Sequence, residues 1–160
     1  MPKTVVIVGT LDTKGEEIAF VRDLIDRQGL TTRVIDCGVV GEPPFQPDVS
    51  RAEVARAGGG DLARLREGGH KDEAMRVMQQ GLIVVVKRLW DEKRLDGIFG
   101  MGGSGGTSIE TAAMRALPVG VPKVMVSTMG GGDVSAFCGA KDITFIPSIV
   151  DVAGFNRISR

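Results

Sequence analysis

The sequence predicts an α/β domain, a Rossmann-like three-layer arrangement built on a mainly parallel sheet. Three observations carry that reading. Short β-branched runs alternate with segments of helical periodicity. The first run, Thr4 to Val8, is apolar without a break, as suits a strand covered on both faces of a parallel sheet. The 23 glycines of this 160-residue chain crowd just behind the apolar runs, where turns are tight or backbone must approach something closely.

Each element follows from local pattern. After the first strand, Gly9 to Lys14 forms a turn, and Thr13 with Glu16 reads as a capping box opening a helix that runs to about Gln28. Ile18, Val21, Leu24 and Ile25 mark its apolar face, and Gly29 ends it. Thr32 to Asp36 is the second strand, which completes a right-handed β-α-β unit. From Val39 to Gly69 the pattern loosens. Glu42 to Pro47 holds three prolines and stays extended, Ser50 caps a short helix through Ala57, and Gly58 to Gly60 breaks it. An excursion of this length is expected to cover a site or a partner. Asp72 to Lys93 is a long helix with Met75, Met78, Leu82, Val85 and Leu89 on one face, although Ile83 to Val86 has β character. Three strands follow, at Asp96 to Gly100, Lys123 to Ser127 and Ile143 to Ile146, with a helix from Ser104 to Ala116 after the first of them. Residues Asp151 to Arg160 carry no closing helix or polar tail, and a fragment of a longer polypeptide is expected, with residues 1–160 as one domain.

Composition narrows the function classes. A formal net charge of zero leaves no electrostatic footprint for nucleic acid. One Trp and no Tyr offer little for base stacking. Cys37 and Cys138 lie far apart without metal-ligand spacing, so inert thiols in a reducing compartment are expected. With no leader pattern and no apolar run of membrane-spanning length, the expected setting is the cytoplasm. His70 is the sole histidine and has no ligand or triad partner in its vicinity, which leaves it as a surface or rim residue. Arg51, Arg56, Arg64 and Arg66 alternate with acids and read as a solvated face.

In an open parallel sheet, ligands bind beyond the carboxyl ends of the strands. Three such ends carry glycine and small polar residues: Gly9-Thr10-Leu11-Asp12-Thr13-Lys14, Gly102-Gly103-Ser104-Gly105-Gly106-Thr107, and Ser127-Thr128 with the glycines that follow. The middle turn opens a helix, so its backbone N–H groups and the helix dipole would make an anion site, with Ser104, Thr107 and Ser108 adding hydroxyls. Gly100, Gly102 and Gly105 match G-x-G-x-x-G, but the next strand ends at Ser127 rather than at an acid, which argues against NAD; no Lys follows the run, which excludes a P-loop. Lys14 could neutralise phosphate, and Asp12 could orient a ribose, hold a metal through water, or simply brace its own turn. Asp36, at the end of the second strand, could reach a ribose hydroxyl or sit on the surface.

These motifs, together with Leu117 to Val124 and Pro147 to Gly154, occur in an order that resembles the Tm-1-like ATP-binding family, also called UPF0261. The resemblance covers essentially the whole chain. It implies the N-terminal of two Rossmann-like subdomains, ATP as ligand with magnesium accompanying the nucleotide, a homodimer, and a C-terminal subdomain of the same protein as a further partner. By residue matching, the nucleotide would lie against Gly9, Thr10, Asp12, Thr13, Lys14, Gly102, Gly103, Ser104, Gly105, Gly106, Thr107, Ser127 and Thr128, with Gly38 and Lys71 also in contact. Lys71 stands where the family's plant member has an arginine, giving a point charge rather than a fork. Met129 to Asp133 departs from the family by being richer in glycine. A second reading makes the domain half of an enzyme acting on a small phosphorylated or carboxylated metabolite. Asp12 with Lys14 is then the only compact acid–base pair near the phosphates, and Asp151 approaches from the last strand end.

Overall fold

The structure, a computed structural model, describes residues 1–148. Five strands, β1 (Thr4–Gly9), β2 (Thr31–Asp36), β3 (Gly97–Gly102), β4 (Lys123–Ser127) and β5 (Thr144–Pro147), alternate with helices α1 (Leu11–Arg27), α2 (Arg51–Ala57), α3 (Leu62–Arg66), α4 (Lys71–Asp91), α5 (Ser104–Ala116) and α6 (Ser135–Cys138). All strand pairs are parallel, in the order β2-β1-β3-β4-β5. The chain turns back on itself between β1 and β3, which is the topological switch point where such sheets bind ligands.

Two cores flank the sheet. The larger one joins α2, α4 and α5 to one face through Val54, Met78, Leu82, Val86, Ile98, Met114 and Met125. The smaller joins α1 to the other through Ile7, Leu11, Ile18 and Val34. The residues of β character in α4 do not break the helix, because Val85 and Val86 fall on its buried side. Tertiary burial outweighs a propensity difference of a few tenths of a kcal/mol per residue.

Local rules hold at most element ends. Ser50 and Glu53 form a reciprocal capping box at α2. The Thr13–Glu16 box is not formed. Helix α1 begins at Leu11, Thr10 stands at its N-cap without a side-chain cap, and Lys14 (φ −127°, ψ 17°) kinks the first turn. The Thr13 hydroxyl instead meets the Thr10 hydroxyl at 2.7 Å. Within the loose segment, Glu42 to Pro47 is non-helical as predicted but bends at Pro44 and Phe45 rather than running extended, with the Arg22 guanidinium 4.7 Å over the Phe45 ring. The ammonium of Lys123, buried at the start of β4, donates to the Pro118 and Val121 carbonyls and to Asp142 at 2.8 Å, so every one of its protons is used.

Helices α2 and α4 cross where Gly58 meets Gly81. A methyl group on Gly81 would run into the Val54 carbonyl, and one on Gly58 into the Val77 carbonyl. A glycine in mid-helix costs up to about 1 kcal/mol, and here close packing of two backbones outweighs that cost. Gly81→Ala is therefore expected to destabilise the fold by about 1–3 kcal/mol through overpacking, despite the better helix propensity of alanine. Gln80→Ala, at an exposed position one residue away, should be neutral within about 0.5 kcal/mol. Urea midpoints of the two variants check this.

Candidate functional site

The fold brings the three glycine-bearing strand ends to one edge. Gly9 and Gly102 end adjacent strands, and the Thr128 N–H donates to the Gly102 carbonyl. Around that edge a single carboxylate sets the geometry. Asp36, fully buried at the end of β2, accepts from the Leu11 N–H at 3.1 Å and from the Gly38 N–H at 2.8 Å. Arg51 approaches its second oxygen at 3.8 Å. Asp36 is thus neither a ribose ligand nor a surface acid: it caps α1 from 25 residues away and pins the turn after β2. Arg51 is likewise buried rather than solvated. It donates to the Gly41 carbonyl and bonds Glu42 at 3.0 Å. Burial pushes the Asp36 carboxyl up, and its two backbone hydrogen bonds and Arg51 oppose the shift.

Asp12 makes the next link. One of its oxygens accepts from the Val40 and Gly41 N–H groups at 3.0 and 3.1 Å. The carboxylate packs so closely on Gly38 that a methyl there would collide with it. Gly38 is therefore a glycine by steric need, and Asp12 braces the loop after β2 rather than its own turn. The Thr13 and Lys14 N–H groups both turn to the Thr10 carbonyl, which removes two donors from the first turn.

The middle turn has a different character. Gly103 precedes α5 with extended backbone and no side-chain cap, and the Thr107 N–H makes the first helical bond, to the Gly103 carbonyl. The N–H groups of Ser104, Gly105 and Gly106 thus come before the start of the helical ladder. Ser104 is exposed, while Gly105 and Gly106 are half-exposed. Thr107 and Ser127 are fully buried, and their hydroxyls pair at 2.6 Å, joining α5 to the end of β4. The Ser127 hydroxyl also accepts from the Met129 N–H at 3.0 Å.

Beside this turn lies a cavity of about 470 Å³, within the usual range for small-molecule sites. Val39, Leu65, Met75, Met78 and Ile109 supply apolar wall, and Arg66, His70 and Lys71 stand among its lining residues. Met75, which lines it, also adjoins the start of α5: its sulfur would lie 3.8 Å from a methyl placed on Gly105. Lys71 lines it, and Gly38 adjoins it through Val39; the residues Gly9 to Lys14 and Gly102 to Thr107 do not line it. Its apolar walls read in the sequence as ordinary core. A larger groove, about 860 Å³, opens at the opposite edge between Lys3, Arg33 and Trp90. It lies at the amino ends of the strands, away from the glycine turns. Among the described residues, no group of three or more His, Cys, Asp or Glu is placed to hold a metal.

Comparison with known families matches residues 3–160 to the N-terminal domain of an uncharacterised protein family, UPF0261. The chain belongs to the UPF0261 family. A UPF0261 protein of Clostridium tetani is 51% identical over 159 residues, which make up 99% of this chain and 39% of that protein. A second, from Rhizobium meliloti, is 39% identical over 158 residues, with the same shares of the two chains. The tomato ToMV susceptible protein tm-1(GCR26) is 29% identical over 171 aligned positions, covering 96% of this chain and 22% of that protein. The chain thus spans about 39% of the length of its bacterial relatives. No helix among the described residues is long and apolar enough to cross a membrane. Asp151 and the stretch Ile149 to Gly154 lie outside the described residues.

One functional-edge residue was not singled out from the sequence. Glu110 of α5 is fully buried beneath the middle turn, its carboxyl packed against Gly100, Gly102 and Gly106. Neither oxygen has a hydrogen bond of good geometry. Desolvation raises the Glu110 carboxyl well above its ordinary value of 4.5, which the Met101 N–H offsets only in part. An acid raised in the folded state binds its proton there more tightly than in the unfolded chain. Stability is then lost as pH climbs above about 4.5 toward the folded value. Glu110→Gln removes that loss. The stability difference between variant and native chain should stay flat below about pH 4.5 and move in favour of the variant as pH rises above it, as measured by urea denaturation as a function of pH.

Proposed function

We propose that this domain binds a nucleotide, with ATP as the ligand. The observation that carries the reading is the uncapped N-terminus of α5 opening beside the apolar cavity at the switch point of the sheet. The N–H groups of Ser104, Gly105 and Gly106, with the helix dipole, suit a phosphate. The cavity walls suit a base, and Lys71 and His70 add polar groups to that lining. Thr107, Ser127, Asp12 and Gly38 then shape the site by holding its loops, while Ser104, Gly105, Gly106 and Lys71 face the ligand. Magnesium would arrive on the phosphates, and the homodimer and the cytoplasmic setting belong to the same reading.

Calorimetry with ATP, against AMP and NAD, tests it. Saturable binding of ATP and not of NAD is expected. Ser104→Asp is the informative variant, since an acid in the first turn favours the helix while its charge takes the place of the phosphate. It should keep the fold and its melting temperature and weaken ATP binding by about tenfold or more, equivalent to about 1.4 kcal/mol. Lys71→Ala should weaken it by less, as expected for one exposed point charge. A folded Ser104→Asp chain that binds ATP as tightly as the native one would place the phosphates elsewhere.

A further inference from the structure

The sheet is covered unequally. On one face, α2, α4 and α5 form the larger core. On the other, α1 packs on β1 and β2 and reaches only as far as β3; no described helix contacts β4 or β5 on that side. The strands record which face is which. Ile98, Gly100 and Met125 are buried toward α5. Between them, Phe99, Met101, Val124 and Val126 alternate onto the opposite face and are only half-buried. Cross-strand register joins them, Phe99 beside Val124 and Met101 beside Val126, and then Val126 beside Ile146, which is 46% exposed.

A sheet face that meets water is polar, so its strands alternate apolar-in and polar-out, whereas all-parallel sheets are covered on both sides. Phe99 and Met101 pack against the α1 core, and next to them Val124, Val126 and Ile146 have no described helix over them; among these uncovered positions of β4 and β5 only Thr144 is polar. The patch continues onto α1. Arg22 and Asp26 lie on the flank of α1 that meets Phe45 and β2. Helical spacing places Leu24, 43% exposed, on the flank away from them, toward the open strands.

We propose that this face is the seat of the C-terminal portion that the family's proteins carry beyond the N-terminal domain. Two observations choose that occupant over a second copy. The domain accounts for about 39% of the bacterial relatives, so most of each polypeptide lies outside it. The last described strand, β5, is also the edge strand that contributes Ile146 to the patch, so the chain that follows starts at its border. A tethered segment meets the face at an effective concentration in the millimolar range, which a free second copy does not reach. Topology adds a constraint. Right-handed crossovers that extend this sheet beyond β5 would put their helices on the α5 side again. The open face is therefore covered by an element that folds back across it. The inference rests on family membership and is independent of the nucleotide reading.

The test uses the full-length polypeptide with single reporter cysteines, Ile146→Cys in the patch and Val84→Cys on α4. Val84 is 41% exposed in the domain, so the two positions are closely matched. Modification by N-ethylmaleimide is followed by peptide mass spectrometry, which reads Cys37 and Cys138 separately. Ile146→Cys should react at least about tenfold more slowly than Val84→Cys, at a rate that does not change on dilution. Equal rates would show the face open and overturn the proposal. Protection that disappears on dilution would assign the face to a second copy and overturn it equally.

Discussion

The buried carboxylate of Asp36 is the interaction on which the functional edge depends. It sits at the end of β2, next to the switch point, and accepts one N–H from the start of α1 and one from the loop after β2. A buried carboxylate is costly unless its lone pairs are used. Here both backbone donors serve one oxygen, while the other has no hydrogen-bond donor and is offset only by the Arg51 guanidinium at 3.8 Å; in return the carboxylate fixes where α1 begins and where the loop leaves the sheet. Asp12 and Arg51 extend the same arrangement outward. Asp12 holds Val40 and Gly41, while Arg51 holds the Gly41 carbonyl and Glu42. Arg66 bonds the Val40 carbonyl and Glu42 from the far side. The loop that bounds the cavity is therefore held by charge-assisted bonds from three directions, with little apolar burial of its own.

That arrangement explains which parts of the molecule were legible in the sequence. The five strands and the four longer helices were, because β-branched runs and helical spacing are local signals; the short helices α3 and α6, of five and four residues, were not, being too short to show a period. The gathering of three glycine turns on one edge was legible too, since it follows from parallel pairing alone. The start of α1 was not. The Thr13–Glu16 pattern is a local cap, and it lost to a cap supplied by Asp36 across the sheet edge. Arg51 read as solvated because its partners, Asp36 and Glu42, are joined to it only by the fold. The cavity wall was invisible for a different reason. Met75, Met78 and Ile109 have the spacing of core residues, and periodicity cannot tell a wall from an interior. Glu110 left a signal that could have been used. It stands three, four and seven residues before Ala113, Met114 and Leu117, on a stripe that is otherwise apolar.

The glycines of the middle turn are also not equivalent, and their differences bear on function. Gly100 and Gly102 sit against the Glu110 carboxyl, and Gly106 against the same group; packing alone demands small residues there. A methyl on Gly105 would meet only the Met75 side chain, at ordinary contact distance. The fold tolerates a larger residue at that position. A bare backbone there makes sense if something outside the chain approaches it, and the cavity beside Met75 is where that approach would come from. Under the proposed reading, Gly105, which packing leaves room to enlarge, is where the ligand would approach. Its neighbours carry a second constraint, the accommodation of a buried acid, which would hold even in a domain that bound nothing.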